Sequence, residues 1–328
     1  MILISGGMGF IGLNTAKRFL DAGERVVLTY HNSYREPEFL KAELGKRAFA
    51  EKLDISSHHD VLEVARKHKA TGIIHLVAPP VRSTLSAGEE YRVQMAGLIN
   101  VLETARVLGM RRVTVASSST VYSGIKSGPY TEDMPLPVDS RSPTEAFKKA
   151  WEVLALHYAD RTKVDLALFR MRGVYGPLYY SMANIPSRLC HAAVKGVAPD
   201  FGTAVGAGIY GGGAPASNVP FEEDEAEFCY VKDCAAGIHA IQTAERLPHR
   251  IYNIGPGRAF KYGELAEAVK AAVPDAKIQL QPGTGPAPGP ANAFLDNSRI
   301  REDLGFRPQY DARTGIADYI GWLRDNPQ

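Results

Sequence analysis

Three glycines, Gly6, Gly9 and Gly12, stand at three-residue spacing in the opening run Met1-Ile-Leu-Ile-Ser-Gly-Gly-Met-Gly-Phe-Ile-Gly12. Glycine has no Cβ, so a turn built from it lets the backbone close on a bulky anion. The apolar residues before the turn make a short buried strand. After it, Ile11, Ala16, Phe19 and Leu20 follow a helical pattern. A strand, a glycine turn and a helix in that order leave backbone N–H groups at a helix N-terminus, where a pyrophosphate is favoured. The spacing is a GxxGxxG variant of the dinucleotide fingerprint and assigns the pyrophosphate to Gly6, Gly9, Phe10, Ile11 and Gly12. Glycine-rich turns also occur in α/β proteins that bind no nucleotide. Here a further strand over 25–30 completes the context that favours the nucleotide.

The end of that second strand reads Leu28-Thr29-Tyr30-His31-Asn32, with Arg35 beyond it. An acid at this point accepts hydrogen bonds from the adenosine ribose and repels a 2′-phosphate. None is present, so His31, Asn32 and Arg35 permit NADP as well as NAD; Arg35 reads equally well as a solvated residue at a helix start. Asp54 and Ile55, after the third strand, suit the adenine edge.

Short apolar strands alternate with longer amphipathic segments. The pattern gives strands over 2–5, 25–30, 46–50, 72–77, 112–116 and 165–170, and helices near 10–22, 36–44, 58–68, 84–108 and 141–160. Regular β-α alternation implies an α/β fold, a Rossmann-like doubly wound parallel sheet, with ligands at the carboxyl ends of the strands.

The 328 residues are long enough for one large core and a smaller lobe. With 38 basic and 36 acidic side chains the net charge is +2, so no bulk field points to nucleic acid or a membrane. Cys190, Cys229 and Cys234 lack metal-ligand or redox spacing. They read as buried thiols of a reducing compartment. No basic n-region opens the chain and no apolar run approaches the ~20 residues of a membrane span. A cytoplasmic protein with a small-molecule substrate and no metal is expected.

Further motifs follow in order: Ala116-Ser-Ser-Ser-Thr-Val-Tyr122, Lys148-xxx-Glu152, Arg170-Met-Arg-Gly-Val-Tyr-Gly-Pro177, Phe228-Cys-Tyr-Val-Lys-Asp233, Tyr252-Asn-Ile-Gly255, and Leu295-Asp-Asn-Ser-Arg299 with Leu304-Gly305. Each is weak alone, but the ordered series covers nearly the whole chain. It resembles the extended short-chain dehydrogenase/reductases, the NAD(P)-dependent nucleotide-sugar epimerase/dehydratase family. The resemblance implies a dinucleotide domain over 1–175 with a return over 231–255, and a substrate lobe from 176–230 and 256–328. It also implies a homodimer built through the helices near 84–108 and 141–160.

In that family a Ser or Thr, a Tyr and a Lys carry the chemistry. The Tyr takes a proton from a substrate hydroxyl as hydride leaves for the nicotinamide. The Lys lowers the phenol's proton affinity and holds the nicotinamide ribose. Position by position, Ser118 is the Ser and Lys148 the Lys; Ser118 reads also as a strand-end hydroxyl capping its neighbours. The Tyr position is Thr144, in Pro143-Thr-Glu-Ala-Phe-Lys148. A threonine is a far weaker acid than a phenol and shorter by a ring. The one literal Tyr-xxx-Lys, Tyr122 to Lys126, lies in a segment broken by Gly124 and Pro129. Three explanations remain open: another acid/base (Tyr122, Tyr175, Glu145 or Lys149), Lys148 itself exchanging the proton, or a binding protein with little chemistry. The first is favoured, because Ser118 and Lys148 both remain.

The same correspondence gives Val77, Ala78, Gly173 and Val174 to the cofactor, and Pro79, Ser119, Tyr122, Tyr175 and Arg188 to the substrate. His75 reads as a supporting or structural residue. The Arg that holds a sugar-nucleotide diphosphate is missing: Ala226-Glu-Phe228 stands there, after the acidic run Glu222-Glu-Asp-Glu225. Arg172, Arg188 and Arg258 are possible replacements. A small-molecule carbonyl reductase using NADPH, or a dinucleotide sensor, is the alternative. The glycine-rich run 202–213 reads as a lid or as disorder, and 282–290 as an extended loop.

Overall fold

A computed structural model describes residues 1–77, 85–201, 219–286 and 289–327. In chain order the elements are β1 (Ile2–Ser5), α1 (Phe10–Asp21), β2 (Val26–Tyr30), α2 (Glu38–Lys41), β3 (Ala48–Lys52), α3 (His58–Lys67), β4 (Gly72–His75), α4 (Ala87–Val107), β5 (Arg112–Ala116), a 3-10 turn (Ser119–Tyr122), α5 (Pro143–Thr162) and β6 (Leu166–Met171). They continue with α6 (Ile185–Lys195), β7 (Glu225–Ala226), α7 (Val231–Thr243), β8 (Ile251–Ile254), β9 (Phe260–Lys261), α8 (Tyr262–Ala272), α9 (Ser298–Leu304) and α10 (Ala312–Asp325).

The strands form a seven-stranded sheet in the order β3-β2-β1-β4-β5-β6-β8. Pairing among the first six is parallel, with Ile2 opposite both Val26 and Gly72. β1, β2, β4 and β5 are built around Ile, Leu and Val and are almost entirely buried, as strands covered on both faces must be. The α/β, Rossmann-like fold expected from the alternation is the one observed. The sheet order reverses beside β1, which places the β1–α1 turn and the end of β4 at the switch point where such sheets bind ligands.

Two compact units divide the chain. The first comprises Met1–Val121, Pro143–Arg170 and Ala235–Tyr252; the second comprises Tyr122–Ser142, Met171–Cys234 and Asn253–Gln328. The first has its core between the sheet and α3, α4 and α5, with Leu3, Val27, Ile73, Leu98, Val113 and Trp151 buried. Buried Arg112 braces its far end. The guanidinium pairs with Asp165 at 2.9 Å and donates to the carbonyls of Ile241 and Ala244 at 2.7 and 2.8 Å. The second unit packs α6, α8 and α10 around Leu189, Phe228, Val269, Ile316 and Tyr319, beside the two-stranded β7–β9 ladder.

Candidate active site

The glycine turn is tighter than its spacing required. A Cβ on Gly12 would lie 2.5 Å from the Gly6 carbonyl oxygen and 2.6 Å from the Gly7 Cα, so the helix starts hard against the turn. Gly6 has φ +73° and abuts the backbone of Val77, so the first glycine and the end of β4 share one place. Gly7, which the spacing argument passed over, is packed nearly as closely: its Cβ would sit 2.7 Å from the Leu28 Cα on β2. Gly9 differs. It is the extended N-cap of α1, and among the described residues a Cβ there would meet only the Gly6 carbonyl, at 3.2 Å. No side chain caps α1 and its first turn carries no acid, so its positive end stays available to an anion. This cradle fits a pyrophosphate. Gly12→Ala should both lower the melting temperature and abolish nucleotide binding, whereas Gly9→Ala should keep the fold and weaken nucleotide binding at least tenfold. Thermal melts with and without dinucleotide separate the two.

After β3, Asp54 accepts from the backbone N–H and hydroxyl of Ser56 at 2.9 and 2.7 Å. Partial burial works against its ionisation, but those bonds and nearby His31 keep its carboxyl below the usual range. Ile55 is buried against Gly97 of α4, and Asn100 donates to its carbonyl at 3.0 Å. Gly97 and Asn100 therefore fix this edge, and nothing in their sequence context marks them. Asn32 and Arg35 are exposed beyond β2. Ala78, Pro79 and the glycine-rich run 202–213 lie outside the described residues.

Lys148 occupies the first turns of α5, one helical turn after half-buried Thr144 and on the same face. Its side chain is only 4% exposed. The Nζ donates to the Ala116 carbonyl at 2.7 Å and stands 3.9 Å from the centre of the Trp151 ring. Burial pulls its proton affinity down to about 7, with Glu152 opposing. Glu152 is itself engaged: Arg170 forks onto it at 2.9 and 2.6 Å and Ser117 donates to it. His75 hydrogen-bonds Ser5 at 2.6 Å and stacks on Trp151 at 4.9 Å. Burial, reinforced by Lys148, pushes it down to about 3, so it is neutral at physiological pH. Ser118, at the end of β5, accepts from the Thr120 N–H at 3.2 Å, and Ser119 is buried in the same 3-10 turn. Glu145 is buried and pairs with Lys149 at 2.7 Å.

The remaining sequence-derived candidates belong to the second unit. The Tyr122 phenol is buried, bonded to the Thr131 carbonyl and Asn253 at 3.0 and 3.1 Å, and stacked on Tyr130. The Tyr175 hydroxyl lies 2.5 Å from where a Gly315 Cβ would be, inside the second core, and burial holds its phenol protonated. Arg188 gives its donors to the carbonyls of Met182 and Asp200, and Arg258 pairs with Glu264. The Val174 carbonyl accepts from Asn184 at 2.9 Å. Gly173 has φ +54° and lies against the Glu227 backbone.

Glu227 is wholly buried. One oxygen accepts from the Leu295 N–H at 2.9 Å; the other has no hydrogen-bond partner among the described residues and abuts Gly255. Burial pushes this carboxyl up to about 8, against the Leu295 bond and Arg172. The folded state therefore holds a proton that the unfolded state releases near pH 4.5, so stability falls as pH rises from there to about 8. Glu227→Gln should remove that fall. Unfolding midpoints at pH 5 and pH 8.5 should differ less in the variant than in the native protein.

A parallel sheet of this order, with a glycine turn at its switch point and a buried lysine beyond β5, defines a Rossmann-like dinucleotide enzyme. The model of the NAD dependent epimerase/dehydratase family matches residues 2–255, and the chain belongs to that family. The chain is 30% identical to the UDP-glucose 4-epimerase of Mycolicibacterium smegmatis, covering 99% of each. It is 27% identical to the dTDP-glucose 4,6-dehydratase of Streptomyces griseus, covering 98% of this chain and 93% of that one. In structure it resembles the UDP-glucose 4-epimerase of Thermotoga maritima, solved with UDP-glucose, at a TM-score of 0.78 and 19% identity, covering 100% and 99%. The Bacillus anthracis dTDP-glucose 4,6-dehydratase, solved with NAD, gives 0.78 at 18% identity, covering 99% and 97%. The chain is an enzyme of this NAD-dependent type. Among the described residues no helix is long and apolar enough to cross a membrane, and no cluster of three metal-binding side chains exists.

Proposed function

We propose that the chain interconverts a sugar or nucleotide sugar by oxidising one of its hydroxyls and reducing the product again, with Lys148 exchanging the proton. The observation that carries this reading is the Lys148 ammonium, buried on Trp151 with a proton affinity near neutrality. A general acid or base works best when its pKa lies near the working pH. Thr144 stands where the resemblance places a tyrosine, and its hydroxyl cannot ionise in that range. The other candidates are committed: Glu145 to Lys149, Tyr122 to Asn253 and Thr131, Tyr175 to the second core. These placements move the choice from a substitute tyrosine or glutamate to Lys148.

In this reading the cradle of Gly6, Gly9, Phe10, Ile11 and Gly12 binds the pyrophosphate, while Asp54 and Ile55 border the adenine. When bound, the nicotinamide supplies the hydride acceptor. Ser118 orients the reacting oxygen, and Lys148 holds the ribose and takes up or returns the hydroxyl proton. The first unit thus takes the dinucleotide and the second the sugar. Of the arginines considered for a diphosphate, Arg188 donates to the Met182 carbonyl and Arg258 pairs with Glu264. The three buried, free cysteines agree with a reducing, cytoplasmic setting.

The decisive experiment denatures the purified protein and assays the nucleotide released. NAD near one per chain supports internal oxidation and reduction, because a cofactor restored in every cycle need not leave. The second reading, an NADPH-dependent carbonyl reductase, is favoured by the absence of an acid from His31 to Arg35. An empty protein that binds NADPH and not NAD would establish it. An empty protein that binds neither defeats both.

We also propose a homodimer through α4 and α5. Tyr91, Ile99, Val153 and Leu154 are all exposed on these helices, Val153 by 69%. Val153→Arg should shift the protein to a monomer in sedimentation analysis without lowering its melting temperature.

A further inference from the structure

Lys148 lies in an unusual setting for an amine. Its Nζ is 3.9 Å from the centre of the Trp151 ring, three residues along the same helix. The same indole stacks on the His75 imidazole, with centroids 4.9 Å apart and planes inclined by 29°. His75 is in turn fixed by Ser5 at 2.6 Å, which ties the stack back to β1. Both Trp151 and His75 are about 1% exposed. The Trp151 Nε1 and the His75 Nε2 have no hydrogen-bond partner among the described residues. A buried indole usually places its N–H on an acceptor. This one gives that up while its ring lies under a cation.

We propose that Trp151 is a positioning residue for Lys148: its π face, braced by His75 and Ser5, holds the ammonium at the end of β5 and favours its protonated form. The inference rests on the assignment of Lys148 to the chemistry, but its test does not. An aromatic face attracts a cation most strongly where water is excluded. Burial alone would strip the proton from Lys148; the indole face restores part of the hydration the ammonium lost. The Ala116 carbonyl, at 2.7 Å, fixes one N–H direction. The remaining charged and titratable groups around the pair are Glu152, which carries Arg170 and Ser117, and His75, neutral above about pH 3. Glu145 and Lys149 pair with each other in the first turns of α5.

The chain has two tryptophans, Trp151 and Trp322. In a Trp322→Phe protein, purified with whatever nucleotide it carries, all indole fluorescence comes from Trp151. Its emission should titrate with a midpoint near neutrality and stop doing so when Lys148→Met is added. Separately, the Lys148 Cε signal in lysine-labelled protein should titrate about one pH unit lower in Trp151→Leu, and less displaced in Trp151→Phe. Emission that is flat with pH, or that titrates unchanged without Lys148, overturns the proposal. So does a Cε midpoint that stays or rises in Trp151→Leu. If Trp151→Leu fails to fold, the fluorescence arm and Trp151→Phe still decide. Should Lys148→Met keep full turnover while the emission result holds, the assigned chemistry falls and the positioning stands.

Discussion

Lys148→Met should lower turnover by at least about 10²-fold, the ordinary contribution of a placed acid or base, and should stabilise the folded protein at neutral pH. The two effects have one origin. Burial holds the folded-state proton affinity of Lys148 at about 7, against 10.5 for an exposed lysine. Below pH 7 the unfolded chain and the folded protein both carry the charge, and the folded protein bears the whole cost of burying it. Between about 7 and 10.5 the unfolded state binds more protons, so stability rises with pH through that window. Methionine fills a similar volume and carries no charge. The variant should therefore be more stable at pH 6.5, by on the order of a few kcal/mol, and should lack the rise above pH 7. Denaturant unfolding at pH 6.5, 8 and 9.5 reads both. A variant less stable at pH 6.5, or one with unchanged turnover, would show that the lysine is structural.

Arg170→Met should cost about 3–5 kcal/mol and roughly 10 °C in melting temperature. Arg170 and Glu152 are 1% and 3% exposed and joined by two charge-assisted bonds. Removing the arginine leaves a carboxylate in the interior with, among the described residues, the Ser117 hydroxyl alone to donate to it. The double change Arg170→Met with Glu152→Met should recover most of that loss, because it removes both charges and keeps the volume. The single variant also uncovers a negative charge four residues from Lys148, so the pH profile of activity should move upward. If the single and double variants melt together, the pair is not the source of the stability.

Much of this was legible beforehand. The strands of the first half were readable because a sheet covered on both faces demands apolar runs. The helices between them stood out by period. Boundaries drifted where no side chain caps an element: β3, expected at 46–50, runs over Ala48–Lys52, and α2 shortens to Glu38–Lys41. Within the site the sequence marked positions whose residue type is itself the signal, such as the glycines and Lys148. Residues that matter by contact escaped it. Gly7 is hidden in a glycine pair, and Asn100 looks like any polar helix residue. Trp151 could have been found, since an aromatic three positions from a lysine shares its face. The segment Tyr122–Ser142 has no compositional break to assign it to the second unit.

The glycine turn has a consequence for tracing the descent of such chains. Gly7 and Gly12 are required by the protein's own backbone, which would collide with any side chain there, whereas at Gly9 only the Gly6 carbonyl, among the described residues, stands near. A lineage that gave up its nucleotide would still be held to the first two by folding, and would be free to drift at the third. The residue at position 9, rather than the motif as a whole, is then the record of whether the ligand is still in use, and in this chain it is still glycine.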